Sequence, residues 1–126
     1  MKVQILPSAW EGLARIKYRV RADFGENVAQ RVTDHILNSL ERLERFPDSG
    51  SMTPDQWLKN MGFRMVISDK RNVSIFRHVG EDIYVYIIAD TRTEYTKVFT
   101  DMILAAPGIV TKPLVDEGLD RDQEDD

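Results

Sequence analysis

Lys70, Arg71, Arg77, Arg92, Tyr95 and Lys97 fall within 28 residues of one another and have the side-chain types from which a phosphate site is built. A guanidinium stays protonated and presents a planar fork that grips phosphate oxygens bidentately, so arginines suit charge that develops on a phosphate. Tyr95 can pass a proton or stack on a base. His78 is the imidazole nearest this group, and imidazole is suited to acid–base work. Alternation along a strand puts Val73, Ile75 and Arg77 on one face and Ser74, Phe76 and His78 on the other. Each arginine has a plainer reading, as a surface charge or as a partner of Glu94, Asp90 or Glu81. Tyr95, at helical spacing with Phe99 and Met102, also reads as a core residue. His35 lies beside an apolar helical stripe and is assigned a packing role.

The composition removes several other chemistries. There is no cysteine, so disulfides, thiolate nucleophiles and thiolate metal sites are excluded, and a structural zinc site is not expected. No run approaches the roughly 18 apolar residues that span a bilayer, and residues 1–6 lack the apolar core of a signal peptide, so a cytoplasmic location is expected. The net charge of −4 conceals a division. Residues 1–115 carry 16 Lys and Arg against 14 Asp and Glu, a net +2, whereas residues 116–126 carry seven acids against Arg121, a net −6. The body is mildly basic, and the acidic tail has too few apolar groups to offset its ordering entropy, so disorder is expected there. The domain is assigned to residues 1–112 and the tail to residues 113–126. At 126 residues the chain suffices for one domain with one core.

The pattern predicts the elements that must hold these side chains. Val3 and Ile5 alternate with polar neighbours as in a strand, which Pro7 ends. Ser8 and Glu11 have capping-box spacing, and Ala9, Leu13, Ile16 and Val20 then share a helical face up to Gly25. Ala29, Val32, Ile36, Leu40 and Leu43 form the stripe of a second helix, which Phe46–Pro47 ends. Thr53, Pro54 and Gln56 predict another capping box and a short helix ending by Gly62. Residues 63–67, 73–79 and 83–88 are rich in Val, Ile, Phe and Tyr, and their short links make an antiparallel meander. Asp90 or Thr91, with Glu94, predicts the cap of a last helix, which Pro107–Gly108 ends. The expected class is α+β: a helical hairpin packed on one face of a small, mainly antiparallel four-stranded sheet in the order β-α-α-β-β-β-α, the other face partly open.

That order, together with the local spellings, resembles the RelE/ParE superfamily of toxins from type II toxin–antitoxin (plasmid stabilisation) modules, over about the first hundred residues. Pro7-Ser8-Ala9, Leu13, Ile16, Val20, Phe24-Gly25 and Ala29 resemble the opening strand and helix. Leu40, Leu43 and Phe46-Pro47-x-x-Gly50 resemble the exit of the second helix. Phe63-Arg64-Met65-Val66, Ser74-Ile75-Phe76-Arg77 and Tyr84 to Ile88 with Asp90-x-Arg92 resemble the later strands. The chain departs from the pattern at Val73, where a basic residue is common, at Asp90, where many members have histidine, and at Phe99, where some ribonuclease members have tyrosine. Residues 51–62 are longer than a minimal member needs.

The resemblance implies a growth-inhibiting toxin with a cognate antitoxin. Its first implication is a metal-independent mRNA endoribonuclease acting on the ribosome, without cofactor. The alternatives are a ParE-like non-hydrolytic inhibitor of DNA gyrase and an inactive toxin-like binding module. In the ribonuclease reading Arg77, Arg92 and Tyr95 are the catalytic candidates and Lys70 and Arg71 bind substrate. The resemblance makes the Arg77 face the open one, on which Arg71, Arg77 and Arg92 are expected to converge.

Overall fold

The structure, a computed structural model, describes residues 2–105. The elements follow as β1 (Lys2–Ile5), α1 (Pro7–Phe24), α2 (Glu26–Arg45), β2 (Ser51–Met52), α3 (Gln56–Asn60), β3 (Phe63–Ser68), β4 (Asn72–Val79), β5 (Asp82–Asp90) and α4 (Tyr95–Ala105). The sheet is mixed and five-stranded, in the order β1-β5-β4-β3-β2, with β1 parallel to β5 and the other pairs antiparallel. This corrects the expected count of four strands. Ser51 and Met52 pair with Met65 and Arg64, because the chain leaving α2 is held beside β3. The Arg64 guanidinium does the holding, donating to the carbonyls of Asp48 and Gly50, while a ring nitrogen of His78 lies 3.1 Å from the Pro47 carbonyl. A side chain on Gly50 would meet the Phe76 ring at 2.6 Å and the Met65 carbonyl at 2.9 Å, which explains the glycine in Pro47-x-x-Gly50.

The two long helices lie on one sheet face. Ala9, Leu13, Ile16, Ile36, Leu40 and Leu43 pack with Phe76, Ile83, Val85 and Ile88 in one buried cluster. Gly12 lets α1 rest directly on β5, since a Cβ there would fall 2.0 Å from the Ile88 carbonyl oxygen. Gly25, at φ +92, separates α1 from α2 in a conformation that glycine adopts without penalty.

A β-bulge corrects simple alternation along β5. Ile75 pairs with Ile87 but Phe76 pairs with Val85, leaving Tyr86 as the extra residue. Before it, Ile83 and Val85 face the helices; after it, Ile88 does. Tyr86 and Ile87 therefore point to the other face, and Asp90 is restored to the helix side.

The predicted capping boxes are not the ones formed. Leu6 is the N-cap of α1 with Pro7 in its first turn, and the Ser8 hydroxyl instead donates to the Tyr86 carbonyl at 2.6 Å. Asp55, not Thr53, caps α3 by accepting from the Leu58 amide at 3.0 Å. The last helix starts at Tyr95, and Asp90 ends β5. One compact unit ends at Tyr95 and a second begins at Thr96, in which Phe99 and Ile103 are buried. No helix among the described residues is long and apolar enough to cross a membrane. The predicted helix end at Pro107–Gly108, the domain boundary at 112 and the acidic tail lie outside the described residues.

Candidate functional site

Arg77 does not stand on an open face. It pairs across the sheet with Phe63 on β3 and Tyr84 on β5 and is only 8% exposed. Its guanidinium carbon lies 5.0 Å over the Phe63 ring centroid and 5.6 Å from that of Tyr86, and Nη2 donates to the Tyr86 hydroxyl at 3.2 Å. The bulge aims Tyr86 at this position. Desolvation raises the pKa of the Tyr86 phenol above its ordinary 10.0, against the opposing charge and hydrogen bond of Arg77. The phenol is thus protonated at neutral pH and is no base. The same face carries Val73, Ile75, Val79 and Phe63, all nearly inaccessible. The expectation of a partly open face holds at Ile67, paired with Val73 and 47% exposed, but not around Arg77, where so much Val, Ile and Phe surface is unfavourable in water.

Arg71 and Arg92 lie elsewhere. Arg71 immediately precedes β4, and Arg92 follows the bulge-shifted end of β5, so both stand at the sheet end that abuts α1 and α2. Arg77, five residues beyond Asn72 along β4, is about 17 Å away by strand rise. The expected convergence of Arg71, Arg77 and Arg92 is therefore corrected to a pair without Arg77.

That pair lines a cavity of about 300 Å³ together with Ile16, Arg19, Val20, Asp23, Phe24, Val28, Val32, Asn72 and Asp90. Its floor is apolar because the stripes of α1 and α2 run past the end of the sheet. Its rim holds three arginines and two carboxylates. Asp90 is the hub of the rim. It accepts from the Arg92 backbone amide at 2.8 Å, from Nη2 at 2.7 Å and from Nε at 3.1 Å, and lies 3.8 Å from Arg19 Nη1. The hydrogen bonds from Arg92, with smaller contributions from the charges of Arg92 and Arg19, hold its carboxyl below the ordinary 3.8 despite partial burial. Asp90 in turn raises the pKa of Arg92.

The turn that delivers Arg71 is unusual. Asp69 and Lys70, neither of them glycine, have φ of 55° and 61°, the left-handed pair of a turn closed by the Arg71 amide donating to the Ser68 carbonyl at 3.1 Å. The turn is tied on one side by Asp69 to His35, 2.6 Å apart, and on the other by the Thr91 amide donating to the Arg71 carbonyl at 2.7 Å. Lys70 is exposed on this turn, its carbonyl accepting from the Thr91 hydroxyl. Tyr95 is half-buried with its hydroxyl 3.9 Å from the Met65 sulfur, and Lys97 pairs with Asp101. His78 faces the helix side, stacked near Phe76 and tied to the Pro47 carbonyl. The three catalytic candidates, Arg77, Arg92 and Tyr95, are not brought into one acid–base centre. Sequence reasoning missed Arg19 and the apolar floor. Their signal was present in the stripe Ile16, Val20 and Val32, which continues beyond what four strands can cover.

No protein-family model matches this chain, and no curated protein matches it. Among solved structures it is similar to one described as the chromosomal ParDE TA system from P. aeruginosa. The identity is 19%, the match covers 71% of this chain and 95% of that chain, and the TM-score is 0.62. At that identity the likeness establishes the architecture: the chain has a ParE-like α+β fold, built here on a mixed five-stranded sheet.

Proposed function

We propose that this chain is the growth-inhibiting toxin of a toxin–antitoxin pair, acting in the cytoplasm by holding its target rather than by cutting it. The observation that carries this reading is the ParE-like fold, shared with a chain of a ParDE TA system. The apolar cavity beside the Gly25 turn of the helical hairpin supports an antitoxin partner, because amphipathic segments bind by laying apolar side chains into such grooves. The scattered catalytic candidates favour binding over mRNA cleavage. Cleavage by a ribose 2′-hydroxyl needs a proton acceptor, a proton donor and cations around one phosphate. Arg77 is committed to Phe63 and Tyr86, Arg92 to Asp90, and Tyr95 lies near a thioether.

Controlled expression of the full chain tests the reading. Growth arrest that a neighbouring gene product relieves, with mRNA intact and gyrase supercoiling blocked, supports a ParE-like mode. Arrest with site-specific mRNA cuts restores the endoribonuclease reading. Absence of arrest from a folded chain leaves the inactive binding module.

A further inference from the structure

Three arginines line the mouth of one cavity, yet their charge is not freely offered. Arg92 is 71% exposed and Arg19 is 57% exposed, so both reach solvent, while the Asp90 carboxylate between them is only 12% exposed. Asp90 spends both oxygens on Arg92 and stands 3.8 Å from Arg19. Asp23 lines the same cavity and adds to the field at Arg92. Arg71, exposed on the rim, forms no ion pair among the described residues. Without Asp90, the rim would carry three positive charges against one negative.

We propose that Asp90 is a built-in counterion that masks the Arg19, Arg71 and Arg92 cluster from nucleic-acid phosphates. Asp90 occupies the bidentate fork of Arg92 that a phosphate would otherwise take. Its position is fixed by the bulge at Tyr86, which returns Asp90 to the helix side, and by the Arg92 amide, which gives the carboxylate a backbone donor as well. A polyanion must therefore displace an intramolecular partner that is already oriented, and that competition costs affinity. The inference rests on the geometry of the rim and not on the toxin reading.

The probe is a fluorescein-labelled single-stranded poly(U) oligonucleotide, titrated by anisotropy at several salt concentrations against the full chain. Asp90→Asn keeps an acceptor for the Arg92 amide while removing the charge, and Asp90→Ser is a second variant that also keeps an acceptor. Glu81→Gln, in the turn at the opposite end of β5, changes net charge equally and serves as the control. Asp90→Asn should bind roughly tenfold more tightly than both wild type and the control, with a steeper fall of affinity with salt as more phosphates are contacted. Adding Arg19→Ala or Arg71→Ala to Asp90→Asn should abolish the gain. The inference is overturned if the Asp90 variants, folded by circular dichroism, bind no more tightly than Glu81→Gln. It is equally overturned if the gain survives loss of Arg19 and Arg71.

Discussion

The Ser8 hydroxyl at the start of α1 donates to the Tyr86 carbonyl, 78 residues later, at 2.6 Å. A bulge leaves one residue out of the ladder, and a backbone carbonyl released in this way needs a donor. Ser8 supplies it and joins the first helix to the strand irregularity on which both faces of the sheet depend. Ser8→Ala should lower stability by about 1–2 kcal/mol, the cost of leaving a partly buried acceptor unmet. Urea unfolding measures it. A loss no larger than that of Ser49→Ala in the exposed turn after α2 would remove this role from Ser8.

Gly12 permits the closest approach of α1 to the sheet. With only 2.0 Å between a Cβ and the Ile88 oxygen, Gly12→Ala must push the helix off β5. The expected loss is about 3 kcal/mol or more, well above the usual helix gain of alanine over glycine. A stabilised Gly12→Ala variant in thermal unfolding would mean that α1 does not rest on β5 as described.

Arg77 and Arg92 should separate cleanly. Arg77 is buried and stacked on two rings, so Arg77→Ala should cost about 2–4 kcal/mol, through lost packing and the lost hydrogen bond to the Tyr86 hydroxyl. Arg77→Met, which keeps the stem, should lose less. Arg92→Ala, at an exposed position, should lower the unfolding midpoint far less than Arg77→Ala. Equal effects of the two alanine variants would contradict this division. Loss of biological activity in Arg77→Ala is therefore informative only when its folded fraction is measured alongside.

Much of the fold was legible from periodicity. The stripe Ala29, Val32, Ile36, Leu40 and Leu43 gave α2, and the Val-, Ile- and Tyr-rich runs gave β3, β4 and β5 nearly to their ends. What escaped was long-range. The spacing of Ser8 and Glu11 fits a capping box, but a tertiary acceptor 78 residues away claims the Ser8 hydroxyl. Two residues, Ser51 and Met52, are too few for an alternation signal, and they join the sheet through Arg64 tethers that no local pattern records. The site was half legible. Arg71 and Arg92 were singled out and do share one cavity, and an ion pair to Asp90 was among the plainer readings of Arg92. Arg77 was misplaced because strand alternation gives a face but cannot say whether that face is covered.

Asp90 and Tyr86 make opposite demands on pH. The Asp90 carboxyl titrates below its unfolded value of 3.8 in the folded chain, so its contribution is complete above about that pH. The contribution is lost as pH falls from there through the lower folded value, because the unfolded state then binds the proton more readily. Tyr86 titrates above 10.0 when folded, so its contribution is complete below that pH and is lost as pH rises through the higher folded value. Wild type should therefore lose stability at both limits. Asp90→Asn should flatten only the acid side of the curve, and Tyr86→Phe only the alkaline side. Urea midpoints taken from pH 3 to pH 11, about the range in which ordinary carboxyls and phenols titrate, check both arms at once. An acid arm unchanged in Asp90→Asn would place the acid-sensitive carboxylate elsewhere in the fold, and with it the electrostatic weight assigned to the Asp90–Arg92 pair.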